Sequence, residues 1–174
     1  IALKELDLPA LKKVGANVSL SNMAALESLK LNALSRVDGT LSLNGLDKLQ
    51  SVSCSALTMA KNIDLERLAL DGISFPSLEN VTVQFKMQNM SKLKKVELPK
   101  LVSCAKMQLY YFDVADALDF SSVKQLGSLE VVAAYKLTSL TLPETTQELI
   151  LNGASRNIMP VLKNVKTINV LKIS

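Results

Sequence analysis

The chain has 174 residues, of which 48% are apolar, yet only three Tyr, four Phe and no Trp, so we expect one domain with an aliphatic core. This composition excludes disorder, and no apolar run approaches the ~18 residues of a membrane span, which argues against membrane insertion. The net charge is only +4, and the basic residues do not form the dense stripe that is typical of a nucleic-acid-binding protein. Their main cluster, at Lys92, Lys94, Lys95 and Lys100, is interpreted as a solvated face.

A repeated apolar pattern begins near the N-terminus. Its first copy has apolar residues at Leu3, Leu6, Leu8, Leu11, Val14, Val18, Leu20 and Met23. A shift of about 23 residues, within the range of solenoid repeats, finds an apolar residue at every corresponding position. The third repeat lacks one residue, and the fifth ends at Phe112. Clear repeats therefore cover 2–112, degenerate repeats cover 113–154, and a capping or partial repeat covers 155–174. We interpret 1–174 as a single solenoid domain.

Each repeat contains two short segments in which apolar and polar residues alternate, the signal of a β-strand. Similar segments stacked from repeat to repeat must pair in parallel. The predicted fold is mainly β, a leucine-rich-repeat solenoid of short stacked parallel strands, with repeats of about 23 residues and little helix. A column of prolines follows the first strand at Pro9, Pro76, Pro99 and Pro143. Gly15 and Gly39 fall between the two strands, where we expect positive φ angles.

The motif of residues 3–22, L-x-x-L-x-L-P-x-L-x-x-V-G-x-x-V-S-L-S-N, resembles the receptor L-domain class of irregular leucine-rich repeats. Similar repeats occur in leucine-rich surface proteins of Bacteroidetes and in fungal cell-wall GPI proteins. The resemblance covers residues 2 to about 151, and it implies an extracellular or cell-surface protein of adhesion or recognition. The chain begins at Ile1 rather than Met, so we expect a mature or trimmed fragment; whether a targeting segment and an N-terminal cap lie outside it is left open.

Several kinds of catalytic site are disfavoured by the residue types. The chain has no His, which removes Ser–His and Cys–His pairs and the commonest general base. Asp64 and Glu66 point outward on one predicted strand, as a carboxylate pair or a calcium site would require, but polar residues are ordinary at such positions. We predict no enzyme activity, no catalytic residues, no metal site and no cofactor.

The cysteines and the glycosylation sequons give weaker signals. Cys54, placed on a strand, and Cys104, placed at a corner, lie two repeats apart, which is too far for a disulfide. We expect buried free thiols that act as small apolar residues. N-x-S/T sequons start at Asn17, Asn80 and Asn89; carriage of glycans and plain chance both remain open for them.

Outward side chains form columns across the repeats. One predicted column runs Ser19, Ser42, Asp64, Lys86, Gln108, Glu130 and Ile150, and its neighbour runs Ser21, Asn44, Glu66, Gln88, Tyr110, Val132 and Asn152. The face is polar at first and becomes apolar late, at the predicted binding residues Tyr110, Tyr111, Val132, Tyr135 and Ile150. Exposed apolar groups with Tyr are typical of a partner-binding surface. Capping of this patch by 155–170 is the alternative interpretation.

These patterns predict a non-catalytic secreted or cell-surface module that binds a protein or a glycan through one repeat face. The alternative of a different class is a structural spacer with no selective ligand. A cytoplasmic scaffold is kept as an alternative location, because free cysteines are equally suited to it. Strand edges at uncapped ends also predict end-to-end self-association.

Overall fold

The structure is a computed structural model that describes residues 2–111, 117–153 and 165–174. Strands make up 56% of the described residues, and no helix occurs among them. The strands are β1 Glu5–Asp7, β2 Lys13–Val14, β3 Val18–Ser21, β4 Ser28–Lys30, β5 Arg36–Leu46, β6 Ser51–Ser53, β7 Met59–Leu68, β8 Gly72–Ser74, β9 Asn80–Gln88, β10 Lys95–Glu97, β11 Ser103–Tyr110, β12 Ala117–Asp119, β13 Gln125–Val132, β14 Ser139–Thr141, β15 Thr145–Asn152 and β16 Thr167–Ile173. Within the described ranges, no helix is long and apolar enough to cross a membrane.

The longer strands of successive repeats form one sheet. Its order is β16-β15-β13-β11-β9-β7-β5-β2, with β3 also paired to β5, and every pair is parallel. We call it the long-strand sheet. The predicted parallel β-solenoid is therefore confirmed, with about seven turns of roughly 22 residues each.

The register shows how the repeat length changes along the chain. Val18 pairs with Leu41, and Leu41 pairs with Ile63, so the second step along the chain is shorter than the first by a single residue. The change falls at a β-bulge between Val37 and Thr40. Because a bulge absorbs an extra residue on one strand, the residues that follow keep their inward or outward orientation.

The short strands form three separate sheets. Their orders are β1-β4-β6, β10-β8 and β12-β14, all parallel. The first break lies between β6 and β8, at the repeat from which one residue is missing. The long-strand sheet runs through this break without interruption, so it provides the continuous surface of the molecule.

The core lies between the two strand layers and consists mainly of stacked aliphatic side chains. From Leu26 to Leu151, the inward residues of the repeat pattern among the described residues are almost fully buried, apart from the part-buried Val52 and Val96. Phe75 and Phe85 meet edge to face, with ring centroids 6.1 Å apart, a favoured aromatic geometry. Repeats six and seven, which look degenerate in sequence, bury Leu126, Leu140 and others in the same way.

Both cysteines are buried free thiols, as expected. Their predicted positions were wrong in detail. Cys54 follows β6 instead of lying on a strand, and Cys104 lies in β11 instead of at a corner. The long strands continue through the bulge, so the position predicted as a corner is paired within the long-strand sheet. Cys104 pairs there with Val81. Burial raises the pKa of both thiols to about 12, so they are protonated at neutral pH.

Positive φ angles occur at a different place from the one predicted. Gly15 and Gly39 are not in the left-handed region; Gly39 is instead packed closely, since a Cβ there would lie 2.5 Å from the Ala16 carbonyl oxygen. The left-handed residues form a column at the end of the long strands, one in each repeat. They are Asn22, Gly45, Arg67, Asn89, Tyr111, Ala133 and Gly153, with φ between 50° and 61°. We call this the left-handed column.

The two ends of the solenoid are less well covered than its middle. Leu3 and Leu8 of the first repeat are 48% and 38% exposed, and Leu171 and Ile173 of β16 are 49% and 50% exposed. These residues occupy inward columns that have a neighbouring repeat on one side only, so the stack does not cover them.

Candidate functional site

The outer face of the long-strand sheet carries the two predicted columns. Backbone pairing joins Ser42 to Asp64 and Gln108 to Glu130 in one column, and Asn44 to Glu66 and Tyr110 to Val132 in the other. Both predicted columns are confirmed throughout their length. A third outward column lies beside them and contains Thr40, Asn62, Gln84, Lys106, Ser128, Glu148 and Val170.

In repeats two to four the outward polar groups bind one another across the strands. The Asn62 amide donates to the Thr40 hydroxyl at 3.2 Å, and Arg67 donates to the Asn44 side-chain oxygen at 2.7 Å. The Asn44 amide in turn donates to Glu66 at 3.2 Å. We call this half of the face the polar half. These bonds join five of its outward side chains to one another, whereas Asp64 Oδ1 has no hydrogen-bond partner among the described residues.

The candidate carboxylate pair belongs to the polar half. Asp64 Oδ1 lies 3.8 Å from the Lys86 ammonium, and Glu66 is bonded to Asn44 and lies 3.8 Å from Arg67. Each carboxylate therefore has its own neighbour in a lateral ladder, as ordinary outward strand residues do. Within the described residues, no group of three or more His, Cys, Asp or Glu side chains could hold a metal ion.

Repeats four to six carry a connected chain of hydrogen bonds that the sequence pattern did not single out. The Gln84 amide donates to Gln108 Oε1 at 2.6 Å, and the Gln108 amide donates to Glu130 Oε2 at 2.8 Å and also to the Tyr110 hydroxyl. The Tyr110 hydroxyl donates to the same Glu130 oxygen at 2.7 Å. Gln108 is only 8% exposed. Such a satisfied network fixes the side chains in one arrangement.

The network sets the protonation of its two ionisable members. Partial desolvation favours the neutral form of Glu130, but hydrogen bonds from Tyr110 and Gln108 and the charges of Lys106 and Lys172 outweigh it and lower its pKa. Desolvation and the hydrogen bond to Glu130 raise the pKa of Tyr110. At neutral pH the site therefore holds a carboxylate beside a protonated phenol.

The predicted binding residues lie together at the end of this network. We call them the tyrosine patch: Tyr110, Tyr111, Val132, Tyr135 and Ile150. Tyr110 is paired with Val132, and Ile150 is paired with Glu130. Tyr110, Val132 and Ile150 are part-buried, whereas Tyr111 is 51% exposed and Tyr135 is 65% exposed.

Both exposed tyrosines lie at the left-handed column: Tyr111 is a member of it, and the ring of Tyr135 contacts another member, Gly153. The Tyr111 amide donates to the Val132 carbonyl at 2.9 Å, and the Ala133 amide donates to the Asn152 carbonyl at 2.8 Å. Tyr111 and Ala133 are thus neighbours in the column. The Tyr135 ring lies over Gly153, since a Cβ on Gly153 would be 3.6 Å from it. The small residues Ala133 and Gly153 leave room for the ring, and Tyr111 has the left-handed backbone conformation that the whole column shares.

Other sequence features have a structural explanation. Lys94 and Lys95 of the lysine cluster lie 3.8 Å from Asp71 and 2.6 Å from Glu97, respectively. The side-chain oxygens of Asn17 and Asn80 accept hydrogen bonds at 2.8 Å from the Thr40 amide and the Ser103 hydroxyl. Asn89 is exposed, in the left-handed column beside Tyr111.

An open recess of about 670 Å³ lies at the other end of the long strands, along the bulges of repeats four to seven. Its lining contains Thr82, Gln125, Thr145 and Gln147, one cation, Lys124, and no carboxylate.

Comparisons of this chain with protein-family models, with curated proteins and with solved structures found no match. The functional argument therefore depends on the geometry of the long-strand face.

Proposed function

We propose that this chain is a non-catalytic recognition module that binds a protein or a glycan through the tyrosine patch. The observation that carries the proposal is a change in the side-chain contacts along the outer face of the long-strand sheet. In the polar half several outward side chains bind one another across the strands, while the repeats that follow present Tyr111 and Tyr135 with half or more of their surface in water. Tyr is enriched where proteins bind partners, because it buries a large area and loses little conformational freedom.

The proposal includes an extracellular or cell-surface location. Its support is the resemblance of residues 3–22 to irregular leucine-rich repeats of surface proteins. Adhesion is the role that such a location and a laterally extended sheet suggest, because a solenoid presents its side chains in long columns to a ligand.

The absence of catalysis is also part of the proposal. It is supported by the lack of His in the sequence and by the engagement of Asp64 and Glu66 in separate lateral contacts. A general acid–base pair needs groups that are free to exchange protons with a substrate.

A binding screen tests the proposal. The purified chain is presented to a panel of glycans and extracellular-matrix proteins, alongside a double variant with Tyr111→Asn and Tyr135→Ser. Asn tolerates the left-handed conformation at position 111, so this variant loses both rings and keeps the backbone. Arg67→Ser is the matched control, because Arg67 occupies the left-handed column two repeats before Tyr111.

We expect selective binding by the wild type and the Arg67→Ser variant, and a loss of binding in the double variant. Binding that the double variant retains would place the site elsewhere on the solenoid. If no ligand of either class binds, the proposal is wrong and the spacer interpretation takes its place.

A further inference from the structure

We infer that the tyrosine patch binds a neutral oligosaccharide, with sugar rings stacked on Tyr111 and Tyr135 and sugar hydroxyls bonded to Glu130 and Asn152. This inference rests on the proposed recognition function and names its ligand class. A sugar ring has an apolar face and a rim of hydroxyl groups. It therefore matches a surface where exposed aromatic rings adjoin fixed hydrogen-bonding groups.

The exposed apolar area of the patch is small for a protein partner. Only Tyr111 and Tyr135 are exposed, while Tyr110, Val132 and Ile150 are part-buried in the sheet surface. A stable protein interface buries about 800 Å² on each partner, with an apolar centre. In the adjacent polar half, outward polar side chains are hydrogen-bonded to one another, so this half adds little apolar area to such a centre.

The two tyrosines are spaced along the solenoid axis. Tyr111, Ala133 and Gly153 are successive members of the left-handed column, and Tyr135 lies over Gly153. Strands of a sheet are about 4.8 Å apart, so the backbone positions of Tyr111 and Gly153 are separated by about 10 Å. This spacing allows the two rings to hold alternate sugar units of one chain, because one hexose advances a linear chain by roughly half of this distance.

Unused hydrogen-bonding groups lie beside the rings. Glu130 accepts both of its hydrogen bonds through Oε2, and among the described residues Oε1 has no partner and is not a buried atom. The side-chain oxygen of Asn152 accepts from the Ser174 hydroxyl at 2.8 Å, which orients its amide NH₂ as a donor. One acceptor and one donor are thus held in place before a ligand arrives, and preorganised groups lose less entropy on binding.

Charge selects a neutral ligand. Glu130 is the carboxylate next to Tyr110 and Val132. Its charge is opposed by that of Lys106, and the nearby Lys172 is paired with Glu148 at 3.0 Å. A carboxylate accepts hydrogen bonds from hydroxyl groups and repels the carboxylates or sulfates of acidic sugars. Neutral oligosaccharides therefore fit the patch better than acidic ones.

The test is an array of immobilised neutral, sialylated and sulfated oligosaccharides, followed by titration calorimetry with the strongest binder. Four single variants are compared with the wild type. Tyr135→Ser removes a ring, and Glu130→Gln removes the charge and places an amide NH₂ donor where Oε1 was free. Tyr135→Phe keeps the ring, and Arg67→Ser changes the same column in the polar half. Thermal unfolding establishes that each variant is folded.

We expect binding to neutral oligosaccharides that is about tenfold weaker in Tyr135→Ser and in Glu130→Gln. Tyr135→Phe keeps the ring and should lose less affinity than Tyr135→Ser, and Arg67→Ser should bind like the wild type. Preference for acidic sugars, or equal binding by all variants, overturns the inference.

A second arm separates this inference from the proposed function. Matrix glycoproteins are tested before and after periodate oxidation, which destroys vicinal hydroxyls of sugars. Binding that needs the tyrosines and survives periodate overturns the oligosaccharide and keeps the recognition function for a protein partner. No binding in either arm overturns both.

Discussion

The two halves of the long-strand face differ in what their side chains contact, although they cover one continuous core. In repeats two to four, Asn44, Glu66 and Arg67 bind one another across adjacent strands. In repeats five to seven, Tyr111 and Tyr135 extend into solvent beside a fixed network. Inward columns are nearly uniform in both halves.

This difference shows how a solenoid separates folding from recognition. Each repeat is held by its inward residues and its neighbours, so outward residues can change from repeat to repeat at little cost in stability. A change confined to consecutive repeats produces a local surface with its own chemistry.

The largest expected effects test whether the halves share one core. Phe85→Ala in repeat four should cost about 3–5 kcal/mol, and Leu129→Ala in repeat six about 2–5 kcal/mol, because both side chains are fully buried and leave cavities. Urea unfolding followed by circular dichroism measures both. Val83→Ala, at a position 45% exposed, is the control and should cost less than about 0.5 kcal/mol. A cost for Leu129→Ala as small as the control would show that the second half is not packed like the first.

The next effect concerns the left-handed column in the polar half. Gly45→Ala should cost about 1–2 kcal/mol, because Gly45 has φ 61° and a Cβ there would lie 3.0 Å from Asn22 Oδ1. Gly15→Ala is the control, since Gly15 lies outside the left-handed region with nothing within 4 Å of its added Cβ. Thermal and urea unfolding of the two variants should differ clearly. Equal stabilities would contradict the structural role of the column.

A buried hydroxyl distinguishes the core of the second half. Thr146 is fully buried in an inward column, and its Oγ1 has no hydrogen-bond partner among the described residues. Thr146→Val keeps the shape and should stabilise the protein by about 1 kcal/mol, because it removes an unsatisfied polar group. Thr145→Val at the exposed neighbouring position should change little. A loss of stability in Thr146→Val would mean that the hydroxyl is bonded in the folded protein.

Changes at the exposed tyrosines should affect stability less. Tyr135→Ser should alter the free energy of unfolding by no more than about 0.5 kcal/mol, since the side chain is 65% exposed. In Tyr111→Asn, relief of the left-handed strain should offset the loss of the half-buried ring. Urea unfolding tests both, and a loss of binding without a loss of stability would mark the residues as functional. A large destabilisation would instead assign them to the fold.

The smallest effect is the pH response of the network. The folded-state pKa of Glu130 lies below its ordinary value of 4.5, so its contribution to stability is present above the unfolded pKa and is lost as the pH falls through the folded pKa. Tyr110→Phe removes one hydrogen bond that lowers this pKa and should move it back toward 4.5. An NMR titration of the Glu130 carboxyl group measures the change. An unaltered pKa in Tyr110→Phe would show that the Lys charges and Gln108 control the group.

The solenoid itself was predictable because inward positions recur in sequence. Leu20, Leu43 and Leu65 belong to one column, and a shift by one repeat length finds all of them. The outward columns follow from the same shift, so the positions of Tyr110 and Val132 were also predictable. The Gln108 network was missed because the register alone does not say which side-chain atoms of neighbouring columns meet.

The sequence by itself determined the repeat, the parallel pairing and the burial of Leu, Val and Cys side chains, because apolar periodicity repeats at every level of the stack. Only the tertiary structure decided where the backbone turns left-handed, why Gly39 is small and which oxygen of Glu130 is free. These features depend on contacts between residues of neighbouring repeats, far apart in the chain, where small differences in distance determine whether groups bond, clash or remain open to a ligand. The proposed site is built from such contacts.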